Sequence, residues 1–230
     1  MSSCAPVKKP EPSLIYYPTP KRSSVHHIVA PGETLWRLSK MYDVPIATIV
    51  KTNRLDDTSA LKMGQELIIP SAGKIQPVIS LFPSDKWEYI IIHHSATDEG
   101  SSLAFNKSHL DKGWDKGVGY HFVIDNRTNY KQDGQIEVTP RWLKQEDGAH
   151  CKASNMNTRA IGICLVGNFH HDRPTKAQMD SLIYLIDTLR KYYHIPIRNI
   201  VGHREVPESS TECPGNNFPW DSFIRRLKNI

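Results

Sequence analysis

The sequence predicts two folded units, a small βααβ unit followed by an α/β domain built on one mixed sheet. Three apolar runs, over 88–93, 120–125 and 161–166, have the length of strands and are bounded by Gly, Asp or Asn. A long helical pattern over 175–193 follows them in the chain. Strands that alternate with helices are typical of a central sheet covered by helices, which predicts the α/β class for the second unit.

The helix over 175–193 carries the clearest local signals in the chain. Thr175 and Gln178 have the spacing of a capping box, in which each side chain bonds the other's backbone N–H. The residues after the cap form one apolar stripe at helical spacing: Met179, Leu182, Ile183, Ile186 and Leu189. Two further helices are predicted, over 102–112 and 221–229.

The first unit is predicted over 26–70, with a strand at each end and two short helices between them. Thr34 has the residue type of an N-cap for the helix over 34–42, and Pro45 suits the first turn of the helix over 45–53. Leu35, Leu38 and Met41 lie at helical spacing and can bury one face. Trp36 is interpreted as a core residue.

Composition excludes some classes of protein. With 230 residues, 39% of them hydrophobic, the chain can form one ordinary domain and a small one. It contains no run of about 18 apolar residues, so no transmembrane segment is predicted. The net charge of +5 suits anionic polymers of the cell envelope and nucleic acid alike. The charges are scattered and form no basic helix or aromatic-interleaved stripe, so nucleic acid is not expected as a partner.

The segments outside the two units have linker composition. Residues 1–25 are rich in Pro, Lys and Ser and predict a disordered tether, and residues 71–86 predict a linker. No charged segment followed by an apolar one marks a signal peptide. Ser2-Ser3-Cys4 resembles the start of a mature bacterial lipoprotein, so Cys4 is interpreted either as a lipid anchor or as a chance cysteine in a tail. A location in the cell envelope, the periplasm or outside the cell is expected.

Histidines occur at the ends of predicted strands, and a cysteine follows the last of them in the chain; both residue types bind zinc. His93 and His94 end the strand over 88–93, His203 follows the apolar pair Ile200-Val201, and Cys213 comes ten positions later. Two imidazoles and a thiolate can hold zinc with its fourth position open to water, which activates that water for hydrolysis. Because side chains alternate along a strand, only one of the two neighbouring histidines can face the site, and the residues alone leave that choice open.

The first unit resembles the LysM module. Three segments carry the resemblance: Val29-Ala-Pro-Gly-Glu-Thr-Leu-Trp36, Ile49-Val-Lys-Thr-Asn53 and Leu61-Lys-Met-Gly-Gln-Glu-Leu-Ile-Ile-Pro70. The resemblance covers 26–70 and implies a βααβ fold that binds glycans containing N-acetylglucosamine, the repeating sugar of chitin and half of the peptidoglycan repeat. It implies a shallow groove between the turn at 31–34 and the loop at 53–64.

The second domain, over 87–230, is similar to the zinc N-acetylmuramoyl-L-alanine amidases that include phage lysozymes of the amidase type and peptidoglycan recognition proteins. Several segments match in one order: Gly117-Val-Gly-Tyr120-His-Phe-Val-Ile124, Gly148-Ala-His150, Ile161-Gly-Ile-Cys-Leu-Val-Gly-Asn-Phe169, Gly202-His203-Arg-Glu-Val206 and Thr211-Glu-Cys213-Pro-Gly215. The resemblance implies zinc-dependent hydrolysis of the amide between N-acetylmuramic acid and the L-alanine of the stem peptide. It selects His93 over His94 as the first metal ligand, with His203 and Cys213 as the others.

The same resemblance implies roles for further residues. Tyr120 would orient the attacking water and move protons, and Thr211 stands where many relatives carry a lysine that stabilises the oxyanion. His150 is expected either beside the substrate groove or in a structural hydrogen-bonding role. Glu137 and Arg141 replace the more usual Gly-Arg-containing loop of the family and are expected to line the rim of the groove. Anhydro-muropeptide amidases use Asp as the third ligand and Glu on the Ile-Gly-Ile strand. This chain has Cys213 and Cys164 there, which argues against that branch.

Two functions are consistent with these residues. The first is a peptidoglycan amidase that the LysM module holds on the wall, and the second is a recognition protein that binds peptidoglycan without cleaving it. The joint presence of Cys213, Tyr120 and both ligand histidines favours the enzyme. Phage and bacterial origins both remain open, and the Pro-rich segment with Cys4 favours a bacterial enzyme of wall remodelling.

Overall fold

The computed structural model describes residues 22–56 and 61–230, and Cys4 and most of the predicted tether lie outside them. The first unit contains four elements, which are β1 (Ser23–Ile28), α1 (Leu35–Tyr42), α2 (Ile46–Asn53) and β2 (Glu66–Ala72). The second domain follows in the order β3 (Tyr89–His94), α3 (Ser102–Asp111), β4 (Phe122–Asn126), β5 (Asp133–Val138), α4 (Pro140–Leu143), α5 (Met156–Arg159), β6 (Ala160–Leu165), α6 (Lys176–Tyr193), β7 (Ile200–Gly202) and α7 (Trp220–Lys228).

The first unit is a two-stranded antiparallel sheet covered by two helices, as predicted. Strand β1 begins at Ser23, inside the range predicted as tether, because Ser23 pairs with Ala72 at the end of an extended β2. The Thr34 hydroxyl caps α1 by accepting the backbone N–H of Arg37 at 3.2 Å. Trp36 is 54% exposed, so its interpretation as a core residue is wrong. Leu35, Leu38 and Met41 form the buried face of α1. Trp36 is the next residue after Leu35, so the turn of the helix points its side chain toward solvent.

The second domain is built on a five-stranded sheet in the order β5-β4-β6-β3-β7. The central pairs β3–β6, β4–β6 and β3–β7 are parallel, and β5 joins β4 antiparallel at one edge. The mixed sheet predicted from the sequence is confirmed. Helix α6 begins at the predicted capping box, and its apolar stripe packs in the main core of this domain with residues from the sheet.

Strand β5 and the short helix α4 were not predicted. Strand β5 reads Asp-Gly-Gln-Ile-Glu-Val, which lacks the apolar run of its neighbours, yet five of its six residues are buried. Gln135 and Glu137 are tolerated there because their side chains have partners inside the protein: Gln135 bonds the backbone of Gln132 and Glu137 pairs with Lys131. Because Gln135 and Glu137 are polar, β5 lacks the alternation of apolar and polar residues from which a strand is predicted.

The linker packs on both folded units. Ile75 and Val78 lie against the core of the first unit, whereas Ile79, Leu81 and Phe82 lie against that of the second. Its backbone is bonded to side chains of the second domain, since Ser80 O accepts Trp142 Nε1 at 2.8 Å and Phe82 O accepts the Tyr193 hydroxyl at 2.8 Å. The segment therefore attaches the two units along a defined path. No helix in the described part of the chain combines the length and apolarity that crossing a bilayer requires.

Gly134 marks a close contact between β5 and α6 that can be tested by substitution. Its φ is +75°, and a methyl group there would lie 2.6 Å from the backbone oxygen of Ala177. Gly113 has the similar φ of +80°, with nothing within 4 Å of such a methyl group. Gly113→Ala should lower the free energy of unfolding by about 1 kcal/mol, which is the backbone strain alone. Gly134→Ala should lower it by about 2 kcal/mol more, because the backbone at Ala177 must move. Unfolding in denaturant measures both free energies, and an equal loss of stability in the two variants would contradict the close contact between Gly134 and α6.

Candidate metal centre

Two neighbouring parallel strands place the two histidines side by side. Ile92 in β3 pairs with Gly202 in β7, and His93 and His203 are the next residue of each. Their ring centroids lie 4.7 Å apart. Cys213 enters from the loop before α7, with its Sγ 3.6 Å from His93 Nδ1. One ligand atom from each of the three lies within 4.8 Å of the others, so the structure brings together the predicted ligand set.

His94 faces away from this cluster, as alternation along a strand requires. Its Nδ1 accepts the backbone N–H of Phe169 at 3.1 Å, and its ring lies 5.1 Å from that of His170. The backbone of His94 nevertheless lies near the sulfur of Cys213, where it acts to lower the pKa of that thiol. The residues alone left the choice between the two histidines open, and in the structure it is His93 that lies in the cluster with His203 and Cys213.

The three side chains have the protonation chemistry and donor types of a zinc site. Burial holds the pKa of His93 well below its usual value, and burial also lowers the pKa of His203, so both imidazoles are neutral and carry a lone pair. Burial raises the pKa of the Cys213 thiol to about 12, against the opposing hydrogen bond from the His94 backbone. A divalent cation would displace that proton. Two imidazole nitrogens and one sulfur are ligands that Zn²⁺ favours, so these residues fit a catalytic zinc ion.

His150 fixes which nitrogen of His93 is free. Its Nε2 lies 3.3 Å from the backbone oxygen of Ala160, so this nitrogen must carry the proton. Its Nδ1 is then an acceptor for His93 Nε2–H, at 3.0 Å. The remaining lone pair of His93 is therefore on Nδ1, the atom nearest the Cys213 sulfur. His150 therefore contacts His93, and its ring also lines the cavity described below.

Removal of the His150 acceptor should weaken metal binding. His150→Phe keeps a ring in the cavity wall but leaves His93 Nε2–H without a partner, and zinc affinity should fall by about 10- to 100-fold. His150→Gln offers an amide oxygen and should recover part of the loss. Competition with a chromogenic chelator measures both affinities. Wild-type affinity in His150→Phe would show that His150 serves only the substrate side.

Tyr120 lies beside the three-residue cluster, two residues before β4. Its ring centroid is 5.3 Å from that of His93, and its side chain lies near the buried thiol of Cys164. Burial raises the pKa of the Tyr120 phenol well above its usual value. The phenol therefore keeps its proton at neutral pH and can act as a hydrogen-bond donor.

Thr211 lies two residues before Cys213 and is partly exposed. Its Oγ1 accepts the backbone N–H of Cys213 at 3.2 Å. That bond uses a lone pair and leaves the hydroxyl hydrogen free to donate to another group.

A cavity of about 690 Å³ opens beside His203 and contains two of the three residues predicted at the substrate groove. Arg141 and His150 are part of its wall. The Arg141 guanidinium donates to two backbone carbonyl oxygens, that of Val118 at 2.6 Å and that of Asp147 at 2.5 Å. Arg141 therefore supports the wall and leaves less of its guanidinium for a ligand.

Glu137 is not brought to the cavity. It is 2% exposed, its carboxylate pairs with Lys131 at 3.0 Å, and it accepts the backbone N–H of Ser102 at 2.5 Å. A buried, paired carboxylate in β5 cannot line the rim of a groove, which corrects the expectation for this residue.

The sequence reasoning did not single out Trp114 and Asn157, which also line the cavity. Asn157 Oδ1 accepts the backbone N–H groups of His150 and Cys151, both at 2.8 Å, and so holds the loop that carries His150. These bonds span six and seven residues, farther than the Asn turns that a local sequence pattern can indicate, so no signal marked Asn157. Trp114 carried no pattern that separated it from an ordinary surface residue.

The structure contains an α/β domain in which His93, His203 and Cys213 lie close enough together at the edge of the sheet to hold a metal ion. The chain belongs to the N-acetylmuramoyl-L-alanine amidase family, whose profile matches residues 83–216, and a LysM domain profile matches residues 27–70. Both resemblances found in the sequence are thereby confirmed.

Individual relatives include recognition proteins and amidases. Peptidoglycan-recognition protein SC2 of Drosophila melanogaster is 32% identical over 151 residues, which are 61% of this chain and 74% of that protein. The N-acetylmuramoyl-L-alanine amidase AmiD of Escherichia coli (strain K12) is 27% identical over 153 residues, which are 60% of this chain and 52% of that protein. The solved structure of N-acetylmuramoyl-L-alanine amidase LysC from Clostridium intestinale URNW is similar with a TM-score of 0.52 and 32% identity, covering 67% of this chain and 95% of LysC.

Proposed function

We propose that this protein is a zinc hydrolase that cleaves the amide between N-acetylmuramic acid and L-alanine in peptidoglycan. The observation that carries the proposal is the meeting of His93, His203 and Cys213 beside a cavity, with the protonated phenol of Tyr120 next to them. Its two domains indicate a peptidoglycan-binding protein of the cell wall or the extracellular space. To this we add amide hydrolysis as the reaction and zinc as the metal.

A zinc ion held by the three ligands would supply Lewis acidity for the scissile carbonyl and lower the pKa of bound water. The residues of the chain supply the rest. Tyr120 donates a hydrogen bond that orients the reacting groups, and His150 holds His93 in the tautomer that binds metal. Thr211 offers a neutral hydroxyl to the oxyanion, which stabilises that charge less than a lysine would.

A recognition protein without catalysis is the second candidate, and two observations favour it. Thr211 brings no charge to the oxyanion, and several relatives of this chain are peptidoglycan-recognition proteins. The enzyme remains the better-supported proposal, because a purely binding groove requires neither the complete ligand set nor the buried phenol beside it.

The LysM module is proposed to hold the enzyme on glycan strands, which raises the local concentration of stem peptides. A lipid anchor at Cys4 would add a second attachment to the envelope, and acylation at this residue is detectable as a mass increase after expression in a bacterial host. An N-terminal segment with the mass of the unmodified sequence would contradict acylation at Cys4.

Metal dependence and bond specificity test the proposal together. Chelator-treated protein should release no amine from a defined muropeptide, and equimolar Zn²⁺ should restore the release of a peptide that begins with L-alanine. Mass spectrometry of the products identifies the bond. Cleavage between other residues of the stem peptide, or between sugars, would contradict the proposed reaction.

A further inference from the structure

The LysM module is packed against the catalytic domain, and the contacts give it one orientation. We propose that a single glycan strand runs from the module along α3 to the metal centre, so that the enzyme acts on the same strand that its module holds. The chemical nature of the strand rests on the proposed function. The course of the strand rests on the interface and on the exposed side chains beside it.

The interface contains a buried lysine that bonds both domains. Lys131 lies in the connection between β4 and β5 and is 5% exposed. Its Nζ donates to the backbone oxygen of Ile28 in the LysM module at 3.2 Å and pairs with Glu137 of the catalytic domain at 3.0 Å. The Lys131 ammonium can keep both the hydrogen bond to the Ile28 carbonyl and the ion pair with Glu137 only within a narrow range of domain orientations.

The module contributes a buried carboxylate to the same cluster. Glu33 bonds His27 Nε2 and the backbone N–H of Ala30, both at 2.7 Å. Burial alone would raise the pKa of Glu33, but the hydrogen bond and charge of His27 and the charge of Lys131 outweigh it and lower the pKa to about 2. Each domain thus brings buried charge to the interface, and the charges compensate one another across it.

Two further contacts fix the module at separate points of the catalytic domain. A methyl group on Gly32 would lie 2.9 Å from Leu143 Cδ1 in α4, which shows how closely this turn approaches that helix. On the other side of the groove implied by the LysM resemblance, Met63 Sδ lies 3.5 Å from Asn106 Nδ2 in α3. With the packed linker, these contacts make the module a fixed part of the enzyme.

In the described part of the chain, exposed apolar side chains lie on the module next to α3 and on α3 itself. Met63 is 53% exposed although it touches Asn106. Leu110, one helical turn beyond Asn106 on the same side of α3, is 43% exposed. Trp114 follows at 38% exposure, and it lines the cavity that His203 also lines. We call Met63, Leu110 and Trp114 the apolar track.

The apolar track fits a polysaccharide better than a peptide or a lipid. The faces of pyranose rings carry C–H groups that pack on flat apolar and aromatic side chains, while their hydroxyls stay in water. The three exposed apolar side chains, Met63 in the module, Leu110 in α3 and Trp114 just after α3, suit successive sugar rings of an extended strand. Three single side chains are too few to form the contiguous patch that a lipid surface or a stable protein partner needs.

The test measures how rate and affinity depend on strand length. Purified glycan strands that carry stem peptides, graded from one disaccharide upward, are the substrates for the full chain. Wild-type kcat/KM and binding affinity should rise until a strand spans the track and then level off. Leu110→Ser should lower the ratio of long-strand to single-disaccharide kcat/KM by about fivefold, the loss expected for one apolar contact. The matched control is Tyr184→Ser, which removes a 49% exposed side chain from α6 and should keep the wild-type ratio.

The outcomes separate this inference from the proposed reaction. If amine is released but the ratio is the same in wild type, Leu110→Ser and Tyr184→Ser, the track is wrong and the amidase stands. If no substrate releases amine, the binding series still decides: a length-dependent affinity that Leu110→Ser weakens supports the track in a recognition protein. An affinity independent of strand length overturns it.

Discussion

Cys213→Ala is expected to lose bound zinc and to reduce amide hydrolysis by about 10⁴-fold or more. With the thiolate gone, only His93 and His203 remain of the ligand set in the described residues, and two imidazoles do not make the three-ligand site on which hydrolytic zinc enzymes depend. Metal analysis and amine release on the same preparation measure the two losses.

The matched control for this variant is Cys164→Ala. Cys164 is a fully buried cysteine in β6 that lies outside the ligand set, so its replacement should leave zinc stoichiometry unchanged. Unfolding curves of both variants separate a lost ligand from a lost fold. A Cys213→Ala protein that keeps stoichiometric zinc would show that the metal, if bound, is held elsewhere.

Tyr120→Phe is expected to lower kcat by about 10²- to 10³-fold while zinc content stays at the wild-type level. The substitution keeps the ring that lies 5.3 Å from His93 and removes only the hydroxyl that can donate to the reacting groups. Because burial holds the pKa of this phenol far above neutrality, the phenol is a donor throughout the range from about pH 6 to pH 9. The loss should therefore be the same across that range.

Tyr130→Phe is the control for Tyr120→Phe, since Tyr130 is 78% exposed and lies between β4 and β5. It should retain wild-type kcat. A Tyr120→Phe enzyme with full kcat would assign proton transfer to another group, and Thr211→Val would then be the next variant to examine. A pH-dependent loss would instead indicate that Tyr120 ionises during the reaction.

Most of the fold was predictable because its elements carry strong local signals. The capping box of α6, the N-cap of α1 and the apolar strands β3, β4 and β6 were all recognised within a few residues of their ends. Strand β5 was missed because its burial depends on an ion pair between Glu137 and Lys131, which the sequence does not reveal. Contacts made between distant residues override local propensity at such positions.

The candidate site was predictable in its residue types and less so in its geometry. His93 and His203 follow paired positions of two neighbouring strands and Cys213 comes from the loop before α7, and the resemblance to known amidases supplied the choice of these three residues. Orientation was harder to predict. Trp36 is exposed because it lies off the buried face of α1, and Glu137 is buried because it pairs with Lys131, which also bonds the LysM module.

The most direct test of the central claim is a product analysis of zinc-loaded wild-type protein acting on purified peptidoglycan. New N-terminal L-alanine should appear without new reducing sugar ends, and the amount should follow the zinc content of the sample. Tight binding to the same peptidoglycan, with stoichiometric zinc and no released L-alanine amine, would contradict the enzyme and leave a recognition protein in its place.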